Sequence, residues 1–394
     1  MSTEAQNDPA SIALEALTES GLGSGVEVEA GGQDGTSARI EIPFDPDRID
    51  VTTRNPTIDL VLSRAKSGAI DLEPDFQRKA GIWDNRRRSR LIESILLRIP
   101  LPTLYAAEDK DENWIIVDGI QRLTSIIHFC DSQLISKSPL ALEGLEYLHD
   151  YEGLTFEDLP SKLKLRIRET ELVLHVIRRG TPDPVKFNIF ARINTGGMPL
   201  SNQELRHALI SGPVRQRLRE LALSQEFIKA TTGSVRDDRM ADREMVLRHL
   251  AFESIDVMTY TTQDFDGFLT DRMHFLNSLP ESEFRVYAET FKQSMTDCHG
   301  LFGRQAFRKI SREYLPRMPI NKALFEAVSV NVAKLNRSEI EKLKIRKSDC
   351  EEGMARLMDD TLFVNAISSG TGDAKKVRYR FDRIKDMLME LAHA

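Results

Sequence analysis

Cysteine is scarce in this chain of 394 residues, and Cys130, Cys298 and Cys350 stand far apart. An odd number at such spacings builds neither a disulfide framework nor a Cys-based zinc site, and it fits a reducing cytosol. Long apolar runs are missing too: no stretch approaches the roughly 18 residues that span a bilayer. The N-terminal MSTEAQNDPASIALEALTES lacks a basic segment followed by an apolar one, so it does not read as a secretory signal. A cytoplasmic protein without a membrane partner is expected. The eight histidines form no HEXXH pattern and none sits at zinc spacing from a cysteine. Cys298-His299 reads as core or helix end. A GxxxxGK[ST] phosphate loop is also absent.

What is there is ordinary for a soluble globular protein: 41% hydrophobic and 29% charged residues. The length suits two domains, or one domain with a large extension. The net charge of −7 is unevenly spread. Residues 1–50 carry −9, with Arg39 and Arg48 their only bases, and the remainder carries +2. Such a near-neutral body with local basic clusters can bind nucleic acid without its charge demanding it.

Residues 1–36 are rich in Gly, Ser, Ala and Glu and read as a disordered acidic tail, with a short helix at 10–19. From 37 to 180 the pattern is mixed. SARIEIP, PTLYAAE, WIIVD and ELVLHVI read as strands, and helices are expected from TIDLVLSRAKSG, NRRRSRLIESILLRIP and IQRLTSIIHFC. From 181 to 394 only helices are expected, among them SNQELRHALISGPVRQRLRELAL, DREMVLRHLAFESI, EFRVYAETFKQSM, NKALFEAVSVNVAKL and KKVRYRFDRIKDMLMELA. The fold class is therefore α+β: an α/β N-terminal domain followed by an α-helical domain.

WIIVDGIQRLTSIIHFC carries the most chemistry. A buried strand ends at Asp118-Gly119 and a helix starts at once. Gly119 allows a sharp turn and close approach of a ligand. The first-turn N–H groups and the helix dipole attract an anion. Gln121 adds an amide, Arg122 a guanidinium that grips phosphate in two-pronged fashion, and Thr124 a hydroxyl. Asp118 can cap the helix, hold a ribose hydroxyl or hold a divalent metal. The same residues also read as a plain turn with a capping Asp and a surface Arg.

VDGIQRLTSIIHF resembles the signature turn of the GmrSD-type restriction endonuclease N-terminal domain, whose usual form is Asp-Gly-Gln-Gln-Arg. PDFQRKAGIW (74–83), LIESILLRIPLPTLYAAE (91–108) and FARINTGGMPLSNQELRHAL (190–209) resemble further segments of that family, in the same order. LFGRQAFRK and RMPINKALFE resemble helices of its longer members. The resemblance implies a ParB/sulfiredoxin-like fold that grips a nucleoside triphosphate, with Mg²⁺ in attendance, in a defence protein acting against foreign DNA. It implies catalytic roles for Asp118, Gln121 and Arg122, with Asp118 as the metal ligand. Nucleotide contacts would come from Gln77, Arg78, Gly119, Ile120, Thr124, Arg192 and Asn194. Ile120 replaces the first Gln of the usual motif, so one amide is lost; binding through Gln121 and Arg122 is expected to survive that loss more readily than hydrolysis. Larger relatives carry a C-terminal HNH nuclease whose His…Pro motif is not seen here, so DNA cleavage is expected to need a partner.

Other clusters have plainer readings beside them. Arg86, Arg87, Arg88 and Arg90 suit either double-stranded DNA or a solvated helix face, as does the basic stretch 162–168. Asn194 can present its amide to a nucleotide or simply support the Gly-Gly turn. Ser201 and Glu204 form a capping-box pattern. Pro74-Asp75 with Glu108-Asp109-Lys110 fits a loose nuclease pattern, but EDKDEN reads as a hairpin turn. The functional expectation is a nucleotide-binding component of a prokaryotic defence or restriction-type system acting on foreign DNA, with NTP hydrolysis as the enzymatic form of that reading. The alternatives are a nucleotide sensor controlling a partner nuclease or toxin, and a DNA-binding module; a homo-oligomer is compatible with each.

Overall fold

In the computed structural model, residues 15–17, 23–28, 49–71, 83–193, 200–310 and 318–394 are described. They fall into two compact units, one of residues 39–211 and one joining the N-terminal segment to residues 212–394. The expected strand SARIEIP, Gln77, Arg78 and Asn194 lie outside the described residues.

The N-terminal segment departs from the expected tail. Strands β1 (Glu15–Leu17) and β2 (Gly23–Glu27) pair antiparallel, where a helix at 10–19 and disorder were expected. Val26 is 1% exposed and bridges Ile320, while the Glu27 carboxylate meets Lys309 at 2.6 Å and Asn321 at 3.1 Å. Gly25 has φ +78°, and a Cβ there would lie 1.7 Å from the Ser234 carbonyl oxygen. Composition favoured disorder, but a few apolar residues with distant partners suffice to order a short strand.

The unit of residues 39–211 is built on a five-stranded mixed sheet. Its strands are β3 (Val51–Arg54), β4 (Ile70–Asp71), β5 (Leu104–Glu108), β6 (Trp114–Asp118) and β7 (Leu174–Ile177), in the order β3-β7-β5-β6-β4. β5 and β6 form a hairpin; β7 runs parallel to β5, and β4 parallel to β6. One face is covered by α1 (Ile58–Lys66), α2 (Asn85–Leu96), α3 (Ile120–Cys130) and α4 (Ser161–Glu169), which share an apolar core with Leu104, Ala106, Trp114, Ile116, Leu174 and Val176. On the other face α5 (Asp183–Ile193) and α6 (Asn202–Leu209) bring Phe190 and Leu205 against Ala107, Val117 and Ile177. The alternation along each strand therefore feeds two cores. Because α5 and α6 pack on the sheet, this unit ends at Ser211, beyond the boundary at 180 read from the sequence.

Local signals placed the helices. Thr57 accepts from the Leu60 N–H to start α1, and Asp84 accepts from Arg87 N–H at 2.7 Å to start α2. The Ser201–Glu204 capping box forms as the sequence suggests. EDKDEN is the hairpin turn: Asp109 accepts from the Asp111 and Asn113 N–H groups. Glu108 is buried and paired with Arg54 at 3.0 Å, while Pro74 and Asp75 lie outside the described residues.

Ser89 and Glu93, four residues apart on α2, hold the loop at 143–148. Ser89 Oγ accepts from Glu143 N–H, and the Glu93 carboxylate accepts from the N–H groups of Glu146, Tyr147 and Leu148 at 3.0, 2.7 and 2.8 Å. Burial alone would raise the Glu93 pKa, but these donors and nearby His149 outweigh it and hold the carboxyl below its ordinary value. Its stabilisation is therefore full above the unfolded value and is lost as pH falls through the lowered folded value. Glu93→Ala should destabilise this unit by about 2 kcal/mol at neutral pH, since buried donors lose their acceptor. In urea melts the gap between wild type and variant should shrink as pH falls below the ordinary carboxylate value; a gap independent of pH would refute the assignment.

The second unit is helical: α7 (Pro213–Ala222), α8 (Gln225–Ala230), α9 (Ala241–Glu253), α10 (Phe265–Ser278), α11 (Glu281–Phe302), α12 (Lys322–Ala333), α13 (Arg337–Ile345), α14 (Lys347–Met358), α15 (Thr361–Ser368) and α16 (Ala374–His393). The expected single helix over 201–223 is two, α6 and α7, parted at Gly212 with Pro213 at the first helical position. α9 and α12 are buried nearly all round. Within that apolar interior Glu326 pairs with Arg380, both 0% exposed, and lies 3.4 Å from Arg248. Arg248 also meets Glu244 at 2.8 Å. No described helix is long and apolar enough to cross a membrane.

Candidate functional site

The turn expected to bind phosphate lies where β6 runs into α3. Gly119 is the N-cap residue of α3, with φ +86°, a backbone conformation that L side chains rarely adopt. A Cβ on Gly119 would lie 2.1 Å from Leu104 Cδ2 and 2.9 Å from an Arg122 nitrogen. Both shape and space thus require glycine. No side chain caps this helix, so Asp118 is not the cap that the sequence allowed. The first-turn N–H groups, which have no intrahelical acceptor, carry the positive end of the dipole.

Asp118 and Arg122, one helical turn apart, form an ion pair at 2.9 Å. The other terminal nitrogen of Arg122 donates to the carbonyls of Pro102 and, at 3.3 Å, Thr103. Arg122 thereby clasps the α2–β5 connection to the turn. Its side chain is 13% exposed, and burial pulls its pKa down against the opposing pull of Asp118; a guanidinium stays charged regardless. Beside it opens a cleft of about 140 Å³, lined by Pro100, Pro102, Leu104, Ile126 and Leu172 among others. That is smaller than the few hundred Å³ of ordinary ligand pockets.

The remaining expected ligands divide. Gln121 is half-buried on the first turn of α3. Ile120 is 4% exposed and packs in the sheet's core, so its side chain cannot contact a nucleotide and only its backbone N–H is offered. The Thr124 hydroxyl donates to the Ile120 carbonyl at 2.8 Å, as a helical threonine does when it bonds its own backbone. Arg192 is exposed in the last turn of α5. Asp118 is a single carboxylate with one oxygen bound to Arg122, and among the described residues no three His, Cys, Asp or Glu cluster as a cation site. These residues do not fit a protein-built metal centre.

This arrangement, a buried strand, a left-handed glycine and an uncapped helix with Gln and Arg on its first turn, stands in a segment that can be compared with known families. Residues 58–211 match the family model described as the GmrSD restriction endonuclease, N-terminal domain. This segment is a GmrSD-type N-terminal domain. No curated protein matches the chain, and no solved structure does. The helical unit lies outside the matched residues, whereas α5 and α6 fall within them. The GmrSD-type domain thus ends at the residue that closes the sheet-bearing unit.

The basic run of α2 does not form one face. Arg86 is exposed, Arg87 lies 4.6 Å over the Trp83 ring, and Arg90 pairs with Glu146 at 2.7 Å. Arg88 turns inward and is buried beside Asn85 and His128. Sequence reasoning also missed a polar row on the sheet beside the turn. Tyr105, paired with Asp118 in register, lies 5.2 Å from His175, whose Nδ1 is 2.9 Å from Thr53 Oγ1. The signal was available: His175 interrupts the otherwise apolar strand LHVI, and Tyr105 stands between Leu104 and Ala106 in LYAAE.

Proposed function

We propose that the chain is the nucleotide-binding component of a restriction-type defence system acting on foreign DNA. In this reading the phosphates of a nucleoside triphosphate lie against the turn from Asp118 to Arg122, on a ParB/sulfiredoxin-like domain. The observation that carries it is the uncapped first turn of α3 behind Gly119: its N–H groups face no side-chain acceptor of their own helix start. Gln121 adds an amide and Arg122 a guanidinium. A divalent cation would arrive on the nucleotide's phosphates, since among the described residues the turn offers Asp118 as its carboxylate.

Binding is favoured over turnover by what Arg122 already does. It holds Asp118 and the Pro102–Thr103 carbonyls. A phosphate that recruits Arg122 must loosen that clasp and so free the α2–β5 connection. The protein then acts as a sensor whose nucleotide shifts an equilibrium between clasped and released states. A partner nuclease or toxin would read that state, and DNA would be the partner's substrate.

Full-length protein incubated with each NTP and Mg²⁺ should retain nucleotide on a filter, and Arg122→Ala should weaken retention by about tenfold, the equivalent of roughly 1.4 kcal/mol. Phosphate release at the same time, abolished in Arg122→Ala, would make the domain an NTPase. If no nucleotide is retained by the wild type, both readings fail.

A further inference from the structure

Tyr105, His175 and Thr53 have no part in holding phosphates, yet they stand in line with the turn that does. Cross-strand register runs from Thr53 on β3 to His175 on β7, Tyr105 on β5 and Asp118 on β6, which are neighbours in the sheet. Adjacent strands lie about 4.8 Å apart, so Tyr105 is roughly 5 Å from Asp118 along this line, His175 roughly 10 Å and Thr53 roughly 14 Å. A bulge produces the alignment. It leaves Val117 without a partner of its own in the register and brings Asp118 opposite Tyr105, and bulges beside sites commonly re-aim a side chain in this way. Tyr105 packs beside Ala107, Val117 and Ile177, so the row lies on the sheet face that carries α5 and α6. The small cleft beside Arg122 is on the other face, among Leu104, Ile126 and Leu172, and shares none of the row's residues.

The chemistry of the row suits a flat molecule with a polar edge. The Tyr105 and His175 rings lie 5.2 Å apart between centroids and are tilted by 45°. Both side chains are half-buried, and Thr53 at the far end is exposed. Thr53 Oγ1 lies 2.9 Å from His175 Nδ1, which fixes the imidazole and leaves Nε2 for another partner. Among the described residues neither Nε2 nor the Tyr105 hydroxyl has one. When Thr53 donates to Nδ1, Nε2 is the N–H donor; in the other tautomer Nε2 accepts. Either way the ring offers one hydrogen bond outward. A pair of rings that only packs the sheet would account for Tyr105 against its core. It would not account for a threonine-anchored histidine in register with Asp118.

We propose that this row is the base subsite of the nucleotide held at the Asp118–Arg122 turn, and that the nucleotide is a purine one. The inference rests on the nucleotide reading above and assigns the other half of the same ligand. The order along the sheet follows the order of a nucleotide's parts. Phosphates lie at the first turn of α3. Asp118 has Oδ2 on Arg122, and its other oxygen, without a partner among the described residues, accepts from a sugar hydroxyl. The base then stacks on Tyr105, and His175 Nε2 meets its edge. A bicyclic base covers more of an aromatic pair than a single ring does, and preferences among bases at such platforms follow stacking strength.

Calorimetric titration of the full chain with ATP, GTP, CTP, UTP and inorganic tripolyphosphate, each with Mg²⁺, tests the assignment. ATP and GTP should bind about tenfold more tightly than tripolyphosphate, the gain expected of one stacked base. Tyr105→Ala should erase that advantage and leave tripolyphosphate affinity unchanged, whereas Tyr105→Phe should keep most of it. His175→Ala should weaken the purine nucleotides alone, by about fivefold, the worth of one hydrogen bond. Unchanged tripolyphosphate binding also shows that a variant is folded with its turn intact. If Tyr105→Ala binds ATP and GTP as wild type does while Arg122→Ala loses them, the phosphate turn stands and the base subsite is wrong. Equal binding of CTP and UTP by the wild type would overturn the purine assignment. A parallel loss of tripolyphosphate in Tyr105→Ala, with its melting temperature unchanged, would also overturn the subsite, because the row would then act by supporting the turn. Wild type that binds neither nucleotide nor tripolyphosphate would sink the nucleotide reading itself, and this inference with it.

Discussion

Glu326→Ala should destabilise the helical unit by about 3–5 kcal/mol, the range for stripping one partner from a buried ion pair. The carboxylate is fully buried between Arg380 and Arg248. Without it Arg380 keeps only the Thr371 carbonyl at 2.7 Å and the Ala366 carbonyl at 3.3 Å. Two neutral acceptors cannot replace a full negative charge in an interior that includes Phe252, Phe325 and Phe381. Arg248 suffers less, because Glu244 stays with it. Thermal melting should show a drop of roughly 10–15 °C, using the usual scaling for a unit of this size. The paired change Glu326→Leu with Arg380→Met should recover most of the loss, because it removes both charges together. A double variant as unstable as Glu326→Ala would show that shape rather than charge balance is at stake. Tyr260 offers a second readout. Burial raises its phenol pKa first and Glu326 raises it further, so removing the carboxylate should lower it.

The second large effect is expected at Gly119. Gly119→Ala combines a left-handed backbone penalty of about 1–2 kcal/mol with overpacking of about 1–3 kcal/mol, and a total near about 3 kcal/mol is expected. The clash partner, Leu104, is 5% exposed and anchored in the core, so it cannot simply swing away. A double-mutant cycle with Leu104→Ala separates the two contributions: the clash should vanish in the double variant while the backbone penalty remains. Strict additivity of the two changes would refute the close contact. NTP retention by a still-folded Gly119→Ala protein at low temperature should also fall, since the α3 first turn would move.

Local features were legible in the chain before its fold was known. WIIVD and the helix behind it follow from an apolar run broken at Asp118-Gly119, and Asp84, Thr57 and Ser201 announce three helix starts. The partners of polar residues were not legible, because they are set by distant segments. Glu93 meets a loop more than fifty residues on, and Glu326 meets Arg380 and Arg248 across comparable separations. A single acid inside the apolar run KALFEAVSVNVA was the one hint of a buried pair. The turn from Asp118 to Arg122 was read correctly as strand, glycine and helix, but the fates of its side chains were hidden. Ile120 packs inward, Thr124 bonds its own helix, and Arg122 spends its donors on Asp118 and two backbone carbonyls.

The bridge from Val26 and Glu27 to Lys309, Ile320 and Asn321 changes how the whole chain must behave as a polymer. The helical unit takes its first strands from the beginning of the sequence and its helices from the end, so residues 39–211 form an insert whose two termini are both anchored. When that insert unfolds alone, it becomes a closed loop and not a free tail. Its denatured ensemble is smaller than that of an excised fragment, and closure entropy grows only slowly with length. The helical unit therefore stabilises its insert through covalent continuity, with no contact required. During synthesis the dependence runs the other way: β2 can pair with β1 at once, but Val26 must wait for Ile320 to emerge before it is bridged to the helical unit.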